Sequence, residues 1–109
     1  MLARSLRRSL QDDHEVVVVH GASGALARLE AGERFDVIVC DLMMPGMTGM
    51  DLHEEITRLM PEQAERMVFL TGGAVTTRAK DFVAAVSNLV LEKPFDVHRL
   101  RQIVRSRTR

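Results

Sequence analysis

The chain has 109 residues, 46% of them hydrophobic, and 15 basic residues balance 15 acidic ones. That length suits one small domain with one core, burying roughly 65% of the unfolded surface, and zero net charge excludes a global field that would gather nucleic acid or membrane. Cys40 is the single cysteine, which rules out an internal disulfide and points to a reducing cytoplasm.

Leu2, Leu6 and Leu10 recur at four-residue spacing with Arg4, Arg7 and Arg8 between them, and predict an amphipathic helix ending near Gln11. The same opening segment has no secretory apolar core, so no targeting signal is expected. Val16 to Val19 reads as a strand; no apolar run approaches the roughly 20 residues of a membrane span. Ala22, Ala25, Leu26 and Leu29 predict a second helix closed by Gly32, ahead of a strand at Val37-Ile38-Val39-Cys40. After the Met43-Met44-Pro45-Gly46 turn, Thr48 and Asp51 have capping-box spacing. Leu52, Ile56 and Leu59 then form the buried stripe of a third helix stopped by Pro61.

The Met67-Val68-Phe69-Leu70 run is the next strand, and Thr71-Gly72-Gly73 follows as a loop. Ala79, Phe82, Val83 and Val86 predict a fourth helix, Leu89-Val90-Leu91 a short strand, and Val97, Leu100, Ile103 and Val104 a last helix. Strand and helix alternate with linkers long enough for helical crossovers, so the fold class is α/β with a parallel sheet. After Asp96 the arginines at 99, 101, 105, 107 and 109 meet no acid, which reads as a solvated helix face in preference to an anionic partner site.

Asp41, Thr71 and Lys93 each stand at the downstream end of an apolar run. If the runs are neighbouring parallel strands, a carboxylate, a hydroxyl and an amine converge on one edge of the sheet, where open α/β folds place ligand chemistry. A carboxylate nucleophile, a hydroxyl donor and a fixed cation suit phosphoryl transfer.

These motifs resemble the receiver domain of two-component response regulators, with its flavodoxin-like (CheY-like) doubly wound sheet of order 2-1-3-4-5. Asp41, in Val-Ile-Val-Cys-Asp-Leu-Met-Met-Pro-Gly-Met-Thr-Gly, matches the family's phosphorylated aspartate. Thr71 in Phe-Leu-Thr-Gly-Gly matches the switch hydroxyl, and Lys93-Pro94-Phe95 matches the phosphate-binding lysine; the three stand 30 and 22 residues apart. The resemblance implies one receiver domain over residues 1–109 that takes a phosphoryl group from a phosphohistidine onto Asp41. Magnesium would be held by Asp41 and the Met43 backbone carbonyl, and the partner would be a histidine kinase or histidine phosphotransfer protein. It also implies a signalling module that catalyses only its own phosphorylation and dephosphorylation.

The departures from the family pattern are informative. Val90 replaces an aromatic residue that often changes rotamer with the switch, and Gly73 leaves bare a position beside the switch hydroxyl. The family begins with a central strand ending in an acidic pair, whereas this chain begins where the following helix begins, and Asp12-Asp13 precedes a strand instead of following one. The expectation is a receiver incomplete at its N-terminus, with weak magnesium binding, impaired phosphorylation and sheet edges open to homodimerisation or strand exchange.

Two other readings have specific markers. A haloacid-dehalogenase-like phosphatase also forms an aspartyl-phosphate, but uses a second acid two residues on, where this chain has Met43. A phosphorylation-independent interaction module would keep the fold and lose the chemistry. The Gly21-Ala22-Ser23-Gly24 turn lacks the P-loop pattern. His14, His20, His53 and His98 have no metal-ligand spacing and are expected at surfaces or edges.

Overall fold

Apolar runs placed between helical segments become a parallel sheet when each crossover helix buries its own stripe on a sheet face. The computed structural model shows this arrangement and describes Arg8, Leu10, Val17, Val19 and residues 21–42, 47–72, 76–93 and 96–108. Along the described chain run α1 (Ala22–Glu30), β1 (Ile38–Asp41), α2 (Gly49–Leu59), the short α3 (Pro61–Ala64), β2 (Met67–Thr71), α4 (Thr77–Ala85), β3 (Val90–Glu92) and α5 (Val97–Arg107). The three described strands are parallel in the order β1-β2-β3, with Ile38 opposite Met67 and Phe69 opposite Val90.

Strand β2 is buried along its whole length, and its alternation divides the core between two faces. Met67 and Phe69 join Cys40, Leu42, Leu52 and Ile56 on one face. Val68 and Leu70 join Leu10, Leu91, Leu100 and Val104 on the other. Helices α1, α2 and α4 supply side chains to the first group, and α5 to the second. Because Leu10 is helical and buried, the N-terminal leucine stripe contributes to the core at its one described leucine.

Local chemistry sets the helix ends. Gly32, at φ 104°, closes α1 with its N–H donating to Leu29 O while Glu33 N–H reaches Arg28 O, the paired bonds of a Schellman turn. At the start of α2, Thr48 Oγ1 accepts from Asp51 N–H and Asp51 Oδ2 accepts from Thr48 N–H, which completes the expected capping box. Pro61 ends α2 and opens α3, where its missing N–H costs nothing.

The structure differs from the sequence reading in three places. Val17 and Val19 lie outside any strand, while Val16 and Val18, the rest of the expected strand, lie outside the described residues. Leu59 is 41% exposed, because the short α3 carries the chain away and Met60 takes the buried place. His53 is half-buried instead of superficial. Its ring meets Phe69 and Phe82 edge-on at centroid distances of 5.7 and 5.3 Å, and those two rings lie 5.2 Å apart, so three rings join α2, β2 and α4.

Polar clips complete the framework. Buried Gln63 on α3 accepts from Phe35 N–H at 2.9 Å and donates to Phe35 O at 3.2 Å, which fixes the approach to β1. Asn88 donates to Ala64 O and Met67 O, both at 2.9 Å, and ties the entry of β3 to the start of β2.

Truncating Gln63 to alanine strips both Phe35 backbone groups of their partner, and a loss of about 2 kcal/mol in urea unfolding is expected. A second prediction concerns pH. Burial holds the His53 imidazole below its ordinary pKa, against a smaller opposing effect of Asn88. The unfolded chain therefore binds the proton first, and stability is lost as pH falls below the unfolded value of about 6.5 toward the folded one. His53→Phe keeps a ring in the cluster and should flatten the stability profile as pH falls below about 7; an unchanged slope would show that His53 does not contribute to it.

Candidate functional site

The sheet register brings chemistry to one edge. Asp41 ends β1 opposite Leu70, Thr71 ends β2 opposite Glu92, and Lys93 follows immediately, its N–H donating to Thr71 O at 2.6 Å. The Lys93 ammonium pairs with Asp41 Oδ2 across β2, with both side chains roughly one-third exposed. Thr71 ends the strand between the two, 7% exposed, and its hydroxyl is buried without a hydrogen-bond partner. An orphaned buried hydroxyl costs about 1–3 kcal/mol, so its persistence at this edge needs a reason beyond stability.

The sequence reading thus placed Asp41 and Lys93 together correctly, and put Thr71 on the same strand edge. Met43, Gly73, Pro94 and the Asp12-Asp13 pair lie outside the described residues. Cys40, next to the carboxylate, is buried, and its thiol pKa is pushed up to about 12, first by burial and then by the charge of Asp41. It stays a protonated packing group, as its apolar setting suggested.

Two glycines that the sequence reading treated only as parts of a motif and a loop define the shape of this edge. A Cβ on Gly49 would lie 2.6 Å from Asp41 O and 3.0 Å from Leu42 Cα, so only glycine lets α2 start against the end of β1. Gly49 N–H donates to Leu42 O at 3.1 Å across this contact. A Cβ on Gly72 would come within 2.9 Å of Lys93 Cβ, so the bare backbone there lets the lysine stem lie over the turn toward Asp41. The Thr48-Gly49 and Thr71-Gly72 dipeptides were visible in the sequence, but the close approaches that require them are tertiary.

Arg78 was missed as well. From the first turn of α4 it pairs with Asp51 at 2.6 Å, the acid that caps α2, so the segments that follow Asp41 and Thr71 are joined by one ion pair. Hydrogen bonding from Arg78, followed by the Thr48 bonds, holds the Asp51 carboxyl below its ordinary pKa.

A carboxylate, an ammonium and an orphaned hydroxyl at the C-terminal edge of a parallel α/β sheet define a class: a doubly wound module that handles a small anion. The response regulator receiver domain family matches residues 1–105. The transcriptional regulatory protein FlgR of Helicobacter pylori is 36% identical over 86 residues, covering 79% of this chain and 21% of FlgR. The aerobic respiration control sensor protein ArcB of Escherichia coli is 29% identical over 106 residues, covering 96% of this chain and 13% of ArcB. The chemotaxis protein CheY4 of Vibrio cholerae superposes with a TM-score of 0.76 at 27% identity, over 98% of this chain and 89% of CheY4.

The chain belongs to the response regulator receiver domain family, with the flavodoxin-like fold of CheY and the phosphoacceptor function of two-component systems. It spans only about a fifth or less of the length of FlgR and ArcB. Receiver domains are signalling modules that interact with histidine kinases or phosphotransfer proteins and generally bind magnesium at an acidic pocket. Among the described residues, no group of three or more His, Cys, Asp or Glu side chains could hold a metal ion, and the site carboxylate is already engaged by Lys93. Magnesium takes octahedral oxygen ligation, which this donor set alone does not supply.

Replacing Thr71 by valine removes the orphaned hydroxyl while filling nearly the same space. The resting chain should gain about 1 kcal/mol in urea unfolding; a loss of that size would mean that the hydroxyl is satisfied in solution.

Proposed function

We propose that Asp41 is the phosphoacceptor, Lys93 the cation that receives the phosphoryl oxygens, and Thr71 the hydroxyl that reports the transfer. The observation that carries this reading is the pairing of the Lys93 ammonium with Asp41 across a strand that ends in the buried, unpartnered Thr71 hydroxyl. The ammonium already lies where negative charge accumulates, which lowers the reorganisation needed during transfer.

In the proposed step an Asp41 carboxylate oxygen attacks phosphorus in line. The new O–P bond forms as the N–P bond to the donor histidine breaks, the bonding electron pair stays on the imidazole nitrogen, and that nitrogen takes a proton from solvent. Lys93 moves from the carboxylate to a phosphoryl oxygen. Thr71 Oγ1 gains the acceptor that it lacks at rest, and the strand end and the α4 segment behind it follow, which biases a two-state arrangement.

The donor would be a histidine kinase or histidine phosphotransfer protein in the cytoplasm, and the chain acts on no substrate but its own aspartate. No described helix is long and apolar enough to cross a membrane. Metal assistance, if the chain depends on it, would need ligands beyond the described side chains, such as the Met43 carbonyl, and phosphorylation would then be slow. Along β1, where one side alone is paired among the described residues, a second copy or an exchanged strand would complete the ladder. The alternative, an interaction module that has lost its chemistry, is favoured by one feature: among the described residues no cluster of three or more His, Cys, Asp or Glu side chains could hold a metal ion.

The test is transfer from a radiolabelled phosphohistidine donor with excess magnesium, followed on denaturing gels. Wild-type chain should acquire an alkali-labile label, Asp41→Asn none, and Lys93→Ala at least about tenfold less. Thr71→Val should keep the label but lose the beryllofluoride-induced amide shifts in α4. Absence of label from the wild type, with no response to beryllofluoride, would favour the interaction module.

A further inference from the structure

Helix α4 has a single fully buried residue, Ala79, where each of the other described helices has at least two. It also starts against a local rule. Its first turn holds Arg78 and no acid, and Lys80 follows, although a helix N-terminus favours negative charge. What offsets Arg78 lies on another element: Asp51, 2.6 Å away, in the first turn of α2.

The two partners of this ion pair are held very differently. Asp51 Oδ2 accepts from Thr48 N–H while Oδ1 accepts from Arg78 Nη2, and Gly49, two residues earlier, lies against Asp41 O with no room for a Cβ. The acid therefore stands on a fixed base at the end of β1. Arg78 is exposed on the lightly buried helix downstream of Thr71, whose hydroxyl has no partner at rest. One turn further along α4, Phe82 meets His53 and Phe69 edge-on. An exposed ion pair thus tethers the start of α4 to α2, and packed rings tether its middle.

We propose that the Asp51–Arg78 pair is a latch: closed, it holds the start of α4 to α2 in the resting chain, and it opens when Thr71 moves to the phosphoryl group on Asp41. The latch rests on the roles proposed above for Asp41 and Thr71. Movement of Thr71 is delivered to the start of α4, which shifts Arg78 while Asp51 stays with its cap, and Phe82 in the ring cluster serves as the pivot. Whatever stabilises the closed latch opposes the phosphorylated arrangement, so removing the pair makes that arrangement easier to reach. An exposed pair has a modest effect that fades with salt, which suits a bias on the switch and not a lock.

The experiment titrates the full chain with beryllofluoride in excess magnesium, read from amide shifts in α4, for wild type, Arg78→Gln, Arg78→Lys and the control Lys80→Gln. At low ionic strength Arg78→Gln should bind about two to five times more tightly than wild type, with Arg78→Lys between them and Lys80→Gln equal to wild type. In about 1 M salt the ratio of wild type to Arg78→Gln should fall to about one. Loss of a cation from the first turn favours the helix, so tighter binding by Arg78→Gln cannot come from a weakened α4. In wild type the Arg78 Nε–H resonance should move at saturation toward its position in Asp51→Asn, which keeps an oxygen for Thr48 N–H but no charge for Arg78. Equal affinities of wild type and Arg78→Gln, an equal gain in Lys80→Gln, or an unmoved Arg78 resonance at saturation overturns the latch, while acquisition of the phosphoryl label by wild type leaves the Asp41 reading in place. A wild-type chain that neither takes the label nor responds to beryllofluoride overturns both.

Discussion

Burial of β2 on both faces is the constraint on which the rest depends. Five consecutive residues, Met67 to Thr71, are all buried, with alternate side chains committed to different cores. A one-residue slip would send Phe69 into the space shaped for Val68 and Leu70, so the register is held by volume as well as by hydrogen bonds. That register sets the levels of the flanking strands and brings Asp41 and Lys93 into contact over the end of the strand between them. The meeting of Asp41 and Lys93 at this edge is thus a consequence of packing several residues below it.

The same constraint accounts for Thr71. As the last residue of a fully buried strand it inherits an apolar environment, yet it carries a hydroxyl that finds no partner there. Valine would suit the packing better. The arrangement makes sense if the missing acceptor arrives with the phosphoryl group, because a bond absent at rest and made after transfer is a differential interaction between two states. The Asp41–Lys93 pair has the complementary character: it is satisfied at rest, and under the proposed transfer the charge arriving on Asp41 would redirect the ammonium without removing its partner.

Much of this was legible in the sequence because it is local. The strands β1, β2 and β3, the capping box at Thr48 and Asp51, the closure of α1 at Gly32 and the stripe of α5 all follow from spacing and from single-residue chemistry. What escaped depends on neighbours that are distant in the chain. Leu59 fits a helical stripe but faces solvent because α3 diverts the chain, and Val17 and Val19 have strand composition but no ladder among the described residues. His53 looked like a surface residue until Phe69 and Phe82, from two other elements, closed around it. Gly49 and Gly72 could be read as turn residues, but not as the two places where backbone and lysine stem pass too close for a Cβ.

These non-local contacts also say how a change at the site can travel. Asp51 caps the helix that starts after the Asp41 loop and at the same time holds Arg78 at the start of α4, beyond the Thr71 loop. The ring cluster of His53, Phe69 and Phe82 joins the same two helices over β2. Displacement of Thr71 therefore meets resistance from one exposed ion pair and one packed ring contact, and the two respond differently to conditions. Exposed pairs weaken with salt, whereas edge-on ring contacts depend on shape and on an uncharged imidazole. Coupling between the Asp41 edge and α4 should thus rest on the ring cluster at high ionic strength and lose that support in acid, where protonation places a charge among the three rings.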